Sequence, residues 1–430
     1  MNLAASSPAA VASLTSGASA PKARIGTVDV VRGVVMLLMA IDHVRVYSGV
    51  PAGGPTPGIF FTRWITHFVA PAFCFLAGTA AWLHGRKLGS NGALARFLLS
   101  RGAWLILLEL TVLRLVWTFN LDFQHYMLAG VIWMLGWCMI LLAGLIWLPV
   151  PVIAGLGVTI IFAHNIVDLY TAQIIPVLQT SSVAWITQFL YFGGTVTLGK
   201  TGIPISVLYS IVPWIGVMAA GYAYGKLMEL PADKRRRINL ALGCGCIALF
   251  LILRSIDAYG DPRHWNSKPQ PQHAATQSAQ QSAQTAPARP RPVVPAYIRF
   301  LNTTKYPASL LFLLMTLGPM FTGLAFSENL RGRIGSMLQV FGRVPMWYYL
   351  LHIPLIHVLA IAVTLARAPG GIGWLCANHP MDPPPPPPGY VWSLWLLYAV
   401  WLLAALILYF PCRWFADLKS RKKSKWLSYL

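Results

Sequence analysis

The strongest constraint in this chain is a succession of apolar runs, each close to the roughly 20 residues that a helix needs to cross a bilayer core about 30 Å thick. They fall near 28–48, 64–84, 94–117, 127–148, 150–168, 204–227, 237–257, 306–327, 340–365 and 391–411. Backbone groups in hydrocarbon must find their partners inside the segment, so runs of this length read as helices. The expected fold is an all-α integral membrane protein, a polytopic bundle of about ten transmembrane helices. The count becomes eleven if the Gly-interrupted stretch 182–199, around Trp185, Phe189, Tyr191 and Phe192, also crosses. Composition agrees, with 56% of the 430 residues hydrophobic and only 10% charged, against about 25% charged in soluble domains.

The net charge of +21 would point to nucleic acid in a soluble protein. Here no soluble domain carries such a surface, and the basic residues instead report topology. A cytoplasmic N-terminus places Lys22, Arg24, Arg86, Lys87, Lys234 to Arg237, Arg333, Arg343 and the basic tail on the inner side, and leaves Arg45, Arg63, Arg114, Lys200 and Arg367 opposite. Both termini are then cytoplasmic. Residues 1–23 read as a disordered Ala/Ser-rich leader, and 24–430 as one membrane domain. Within it, residues 262–296, rich in Gln, Ala and Pro, are expected to form a disordered external loop. Pro383 to Pro388 favour a stiff polyproline II spacer. The six cysteines show no CxxC pair and no ligand spacing with histidine, so neither a disulfide framework nor a metal site is expected.

Ionisable residues within a membrane helix are costly, roughly 2.5–3.5 kcal/mol at its centre, and by default mark function. The first helix carries Asp29, Arg32, Asp42, His43 and Arg45. At 100° per residue Asp29, Arg32 and His43 share one face, His43 standing about 21 Å beyond Asp29. The second run opens with Arg63 and His67, spaced i,i+4, and a short connection returns them toward Asp42 and His43. Two histidines, a carboxylate and a guanidinium in one neighbourhood suit proton transfer. The structural alternative is a packing ion pair of Asp42 with Arg63 and histidines that satisfy carbonyls. Arg101, Glu109 and Arg114 read as an ion-pair network between helices. His352, among tyrosines and tryptophan near Pro354, is a candidate pocket wall or a buried structural histidine. Trp214 stands in a Pro/Gly-rich helix start that neighbours can approach closely. Lys305 and Tyr306, in Asn302-Thr303-Thr304-Lys305-Tyr306-Pro307, offer groups to an anionic or polyhydroxylated ligand, or simply cap the next helix. No phosphate loop and no nucleophile elbow occurs.

Five motifs in order carry a resemblance: Arg24-x4-Asp29-x2-Arg32-Gly33 with Asp42-His43; Phe61-Thr62-Arg63-Trp64-Ile65-Thr66-His67 through Pro71; Pro213-Trp214-Ile215-Gly216; Thr304-Lys305-Tyr306-Pro307; and Phe341-Gly342-Arg343-Val344-Pro345 with Leu351-His352. Together the chain resembles the bacterial branch of the heparan-alpha-glucosaminide N-acetyltransferase-like transmembrane acyltransferases. The resemblance implies a bacterial inner-membrane enzyme that moves an acetyl or other acyl group from cytoplasmic acetyl-CoA to an amino sugar, glycan or similar acceptor on the opposite side. It also implies a homodimer. The lysosomal branch places its implicated histidine between the first two helices, whereas residues 48–62 here contain none. The expected catalytic set is therefore His43, Asp42 and His67, with Asp42 orienting His43. The binding set is Asp29, Arg32, Arg63, Trp214, Lys305, Tyr306, Arg343 and His352, the cytoplasmic-side cations holding CoA. Direct transfer and an acetyl-histidine intermediate both stay open. The alternative function is a proton-coupled transporter or exporter of a small polar solute.

Overall fold

The computed structural model describes residues 26–54, 56–179, 181–199, 202–266, 294–330, 332–377, 384–422 and 427. The expected leader, most of the 262–296 loop, and Pro383 lie outside these. The elements in chain order are α1 (Gly26–Ser48), α2 (Pro57–Trp64), α3 (Val69–Leu88), α4 (Asn91–Leu108), α5 (Arg114–Thr118), β1 (Met127–Ala129), α6 (Val131–Leu145), α7 (Val150–Ala163), α8 (Ile166–Leu169), α9 (Thr171–Gln179), α10 (Ala184–Thr187), β2 (Gly194–Leu198), β3 (Ile203–Val207) and α11 (Val212–Tyr224). They continue with α12 (Ala232–Ile256), α13 (Ala296–Leu301), α14 (Leu310–Ser327), α15 (Arg333–Arg343), α16 (Pro345–Arg367), α17 (Ile372–Leu375) and α18 (Leu394–Arg421).

Six helical stretches among the described residues are long and apolar enough to cross a membrane: Pro57–Leu88, Val150–Leu169, Ala232–Ile256, Leu310–Ser327, Pro345–Arg367 and Leu394–Arg421. The chain is thus a helical integral membrane protein. Each of the ten expected runs contains a helix, but α6 and α11, of 15 and 13 residues, are shorter than a bilayer-spanning segment. The 182–199 stretch is not one helix. It divides into α10, a π-helical turn at Gln188–Phe192, and strand β2.

The fold also departs from purely α architecture. A small sheet in the order β1-β3-β2 pairs β1 parallel and β2 antiparallel to β3. Its strands replace the first residues of two expected helices, those at 127 and 204. Their function in the fold is positional: the N–H groups of Leu208 and Tyr209, just past β3, both donate to the carbonyl of Ala129 at the end of β1.

Helix α1 is central, packed against α15, α16, α18, α3 and α14. Glycines permit the closest crossings. A Cβ on Gly342 of α15 would come within 1.8 Å of the Asp29 carbonyl oxygen, and one on Gly78 of α3 within 2.1 Å of the Met218 carbonyl oxygen of α11. Prolines set the breaks. The Pro71 ring conflicts with the carbonyl four residues back, and Ile65–Phe68 before it runs as a 3-10 turn. Pro345 begins α16 after a break at Val344, dividing the expected 340–365 helix in two. Two described prolines of the expected spacer are placed by neighbours: a Cβ on Gly49, just past α1, would meet Pro386 at 3.4 Å, and the Trp374 indole donates to the Pro384 carbonyl.

Candidate functional site

The end of α1 that carries Asp42 and His43 meets the 3-10 turn at 65–68, Tyr209 just past β3, the loop before α14, and the middle of α16. Between them lies a cavity of about 40 Å³, lined by Asp42, His43, Thr66, Tyr209 and Lys305 together with Met39, Val69, Ala70 and Val131. That volume admits a few water molecules.

Asp42 is held by two guanidinium groups. Arg45 Nε donates to Asp42 Oδ1 at 2.8 Å, and Arg63 Nη1 stands 3.9 Å from the same oxygen. Arg45 also donates to the Val50 carbonyl at 3.1 Å. The expected pairing of Asp42 with Arg63 is therefore present, but Asp42 is spent on arginines and does not orient His43. The close neighbour of the His43 ring is instead 309 positions away: His43 Nδ1 lies 2.6 Å from His352 Nε2. The His43 ring is further flanked edge-on by Trp117, at 4.7 Å between centroids, and by Tyr349, at 6.4 Å. His352 is fully buried, its Nδ1 lying 2.7 Å from the Tyr349 carbonyl and 3.1 Å from that of Tyr348.

Lys305 is only 8% exposed. Its ammonium stands 5.7 Å and 5.2 Å from the ring centres of Tyr209 and Tyr306, within cation–π range. Among the described residues it makes no ion pair. Burial pushes the Tyr209 phenol well above its ordinary value, so this side chain is a neutral hydroxyl at the cavity wall. The loop bearing Lys305 is fixed by Asp261, whose carboxylate accepts from the N–H groups of Arg263 and Thr304 and from the hydroxyls of Thr304 and Ser309, all at 2.8–2.9 Å. Ser309 in turn accepts from the Phe312 N–H and caps α14.

The remaining expected residues lie elsewhere. The His67 ring packs edge-on to Phe312 at 5.5 Å, with Nδ1 buried and without a hydrogen-bond partner; Thr66, next to it, reaches the cavity. Trp214 is buried behind Tyr209 and accepts from the Cys74 thiol through its carbonyl. Asp29 and Arg32 pair at 3.8 Å at the far end of α1, where Arg32 Nη2 also donates to the Leu76 carbonyl at 3.1 Å. Arg343 is exposed on α15 at that same end and donates to Gln339. The expected ion-pair network at Arg101, Glu109 and Arg114 takes another form: Glu109 caps α6 by accepting from the N–H groups of Ile132 and Trp133, and Arg114 donates to the carbonyls of Tyr126, Asn120 and Asp122. Sequence reasoning missed Tyr209, which lay inside an expected helix, and Trp117. It also missed Asp261, which borders the expected loop.

Among the described residues no three His, Cys, Asp or Glu side chains gather as a metal-binding group. The polar groups that line the cavity, a histidine, a buried ammonium, a carboxylate, a threonine and one phenol, are suited to acid–base and electrostatic work on an organic substrate. Residues 24–250 match the family described as heparan-alpha-glucosaminide N-acetyltransferase, catalytic. The chain belongs to that family. No curated protein matches it. The matched half carries Asp42, His43, Arg63 and Tyr209, while Lys305 and His352 come from the part beyond it. The family's description is that of an N-acetyltransferase, and with six helical stretches long and apolar enough to span a bilayer the chain is a membrane protein of a transferase family.

Proposed function

We propose that the protein is a membrane-embedded acyltransferase that moves an acetyl or other acyl group from cytoplasmic acyl-CoA to an amino sugar, glycan or similar acceptor on the opposite side. The observation that carries this reading is the cavity at one end of α1, where His43 and the buried Lys305 face the same small volume. His43 acts as general base, taking the proton from the acceptor amine or hydroxyl as that atom attacks the thioester carbon. Lys305 and Arg63 supply positive charge where the carbonyl oxygen becomes an oxyanion. Collapse of the tetrahedral intermediate breaks the C–S bond, and the CoA thiolate recovers a proton. In a bacterium the protein sits in the inner membrane with both termini cytoplasmic.

Several arguments support the two-sided arrangement. The basic residues at the ends of α3, α12, α15 and α18 gather on the side away from the cavity, as the charge rule for inner loops requires. Arg343 is exposed on that side and can meet CoA phosphates. Asp29 and Arg32 stabilise the helix packing there. The cavity as it stands is far too small for a thioester arm and an acceptor, so turnover requires the helices around it to part. The family match favours transfer over proton-coupled transport.

The test uses the full chain in lipid bilayers with radiolabelled acetyl-CoA and a panel of amino sugars and glycans. Acetyl transfer that is abolished in His43→Gln supports the reading. Proton-gradient-driven solute uptake with no acyl-CoA consumed would overturn it in favour of transport.

A further inference from the structure

We propose that His352 is a positioning residue that holds His43 in one tautomer, with the proton on Nδ1 and the lone pair on Nε2. The proposal deepens the reading of His43 as general base and rests on it for its catalytic meaning. It follows from counting donors. His352 Nδ1 lies 2.7 Å and 3.1 Å from two backbone carbonyls, and a carbonyl oxygen can only accept, so Nδ1 carries the proton. In a neutral imidazole the other nitrogen is then an acceptor. Among the described residues the group within hydrogen-bond reach of that acceptor is His43 Nδ1, at 2.6 Å, which must donate. His43 Nε2 is left as the basic atom, and it has no partner among the described residues.

Among the described residues this pairing has no competitor. The charged groups that act on His43 are Asp42, Lys305 and Arg45, and the carboxylate among them is engaged by Arg45 at 2.8 Å. Both histidines are rigidly seated: His43 between Trp117 and His352, and His352 stacked on Tyr348 at 5.2 Å. When His43 Nε2 takes the acceptor's proton, its Nδ1–H keeps donating to the His352 lone pair, and the hydrogen bond strengthens as the imidazole becomes charged. The same Nε2 proton is later released to the CoA thiolate, so His352 gains and loses nothing. A neutral histidine anchored by two carbonyls thus performs the orienting task that a carboxylate performs in many hydrolases.

The experiment reads tautomers directly, by solid-state NMR of the full-length protein in bilayers with 15N-labelled histidine. The signals lost in His43→Gln identify His43. The expected result is a protonated Nδ1 and an unprotonated Nε2 in the wild type, a mixture of tautomers in His352→Leu, and the wild-type pattern in His352→Gln, whose amide oxygen can accept in place of Nε2. A protonated Nε2 on His43 in the wild type, or an unchanged pattern in His352→Leu, overturns the proposal. Because this readout needs no turnover, it stands or falls separately from acyl transfer. In the transfer assay His352→Leu should lower kcat about 10- to 100-fold, the loss expected for one hydrogen bond to a charged group, with the KM for acetyl-CoA unchanged and His352→Gln largely restoring kcat.

Discussion

The two ends of α1 carry the same residue types and use them differently. At the Asp29 end an acid and an arginine pair at 3.8 Å, and the backbone of α15 closes over them so tightly that a single added methyl on Gly342 would collide with the Asp29 carbonyl. At the Asp42 end three cations, Arg45, Arg63 and Lys305, surround one carboxylate, and a cavity remains. Charge at the first end is matched locally and serves cohesion. Charge at the second is unbalanced and faces open volume, the arrangement that the proposed chemistry needs to stabilise a ligand with developing negative charge. Intramembrane ionisable residues alone therefore do not separate packing from chemistry; the presence of space and of excess charge does.

That contrast can be broken most sharply at His43. His43→Gln should lower acetyl transfer by about 100- to 10,000-fold, while Asp29→Asn should leave turnover per folded molecule close to wild type; equal losses in radiolabel transfer would erase the distinction between the two ends. Next in size, Lys305→Met should reduce kcat by about 100- to 1,000-fold, as removal of one oxyanion-stabilising group does, without lowering the thermal midpoint to the same degree as a packing defect. The reverse signature belongs to Gly342→Ala. Its new Cβ meets backbone, which cannot yield, and should cost about 1–3 kcal/mol of stability, seen as a lower melting temperature with the transfer rate of the surviving folded protein retained. The smallest effect is expected at Arg86, whose ion pair with Glu229 at 3.2 Å is largely exposed. Arg86→Ala should change stability by less than about 1 kcal/mol and leave transfer unchanged.

Much of this layout was legible because membrane helices announce themselves by apolar length and because charges inside them are few enough to single out. Asp42, His43 and Arg63 were found that way, and their proximity followed from the short connection between the first two helices. The partner of His43 was not legible. His352 lies on the same end of the bundle only through the packing of α16 on α1, and nothing local in either segment encodes that register. The sheet was hidden for a different reason: strands of three to five residues are too short for their alternation to stand out from the apolar runs they lie in or beside, so periodicity cannot tell them from helix. With the sheet unseen, Tyr209 was placed inside a helix, and its part in the cavity could not be read. The helix break at Val344 was signalled by Pro345, but the apolar run continued across it.

The Asp261 clamp has a practical corollary. The chain entering residues 267–293 is pinned at Asp261 and Arg263, and the chain leaving them is pinned at Thr304 and Ser309 by the same carboxylate. Changes in the length or content of the intervening stretch are thereby mechanically decoupled from Lys305, so an affinity handle or fluorescent reporter inserted there should leave the cavity's geometry as it is.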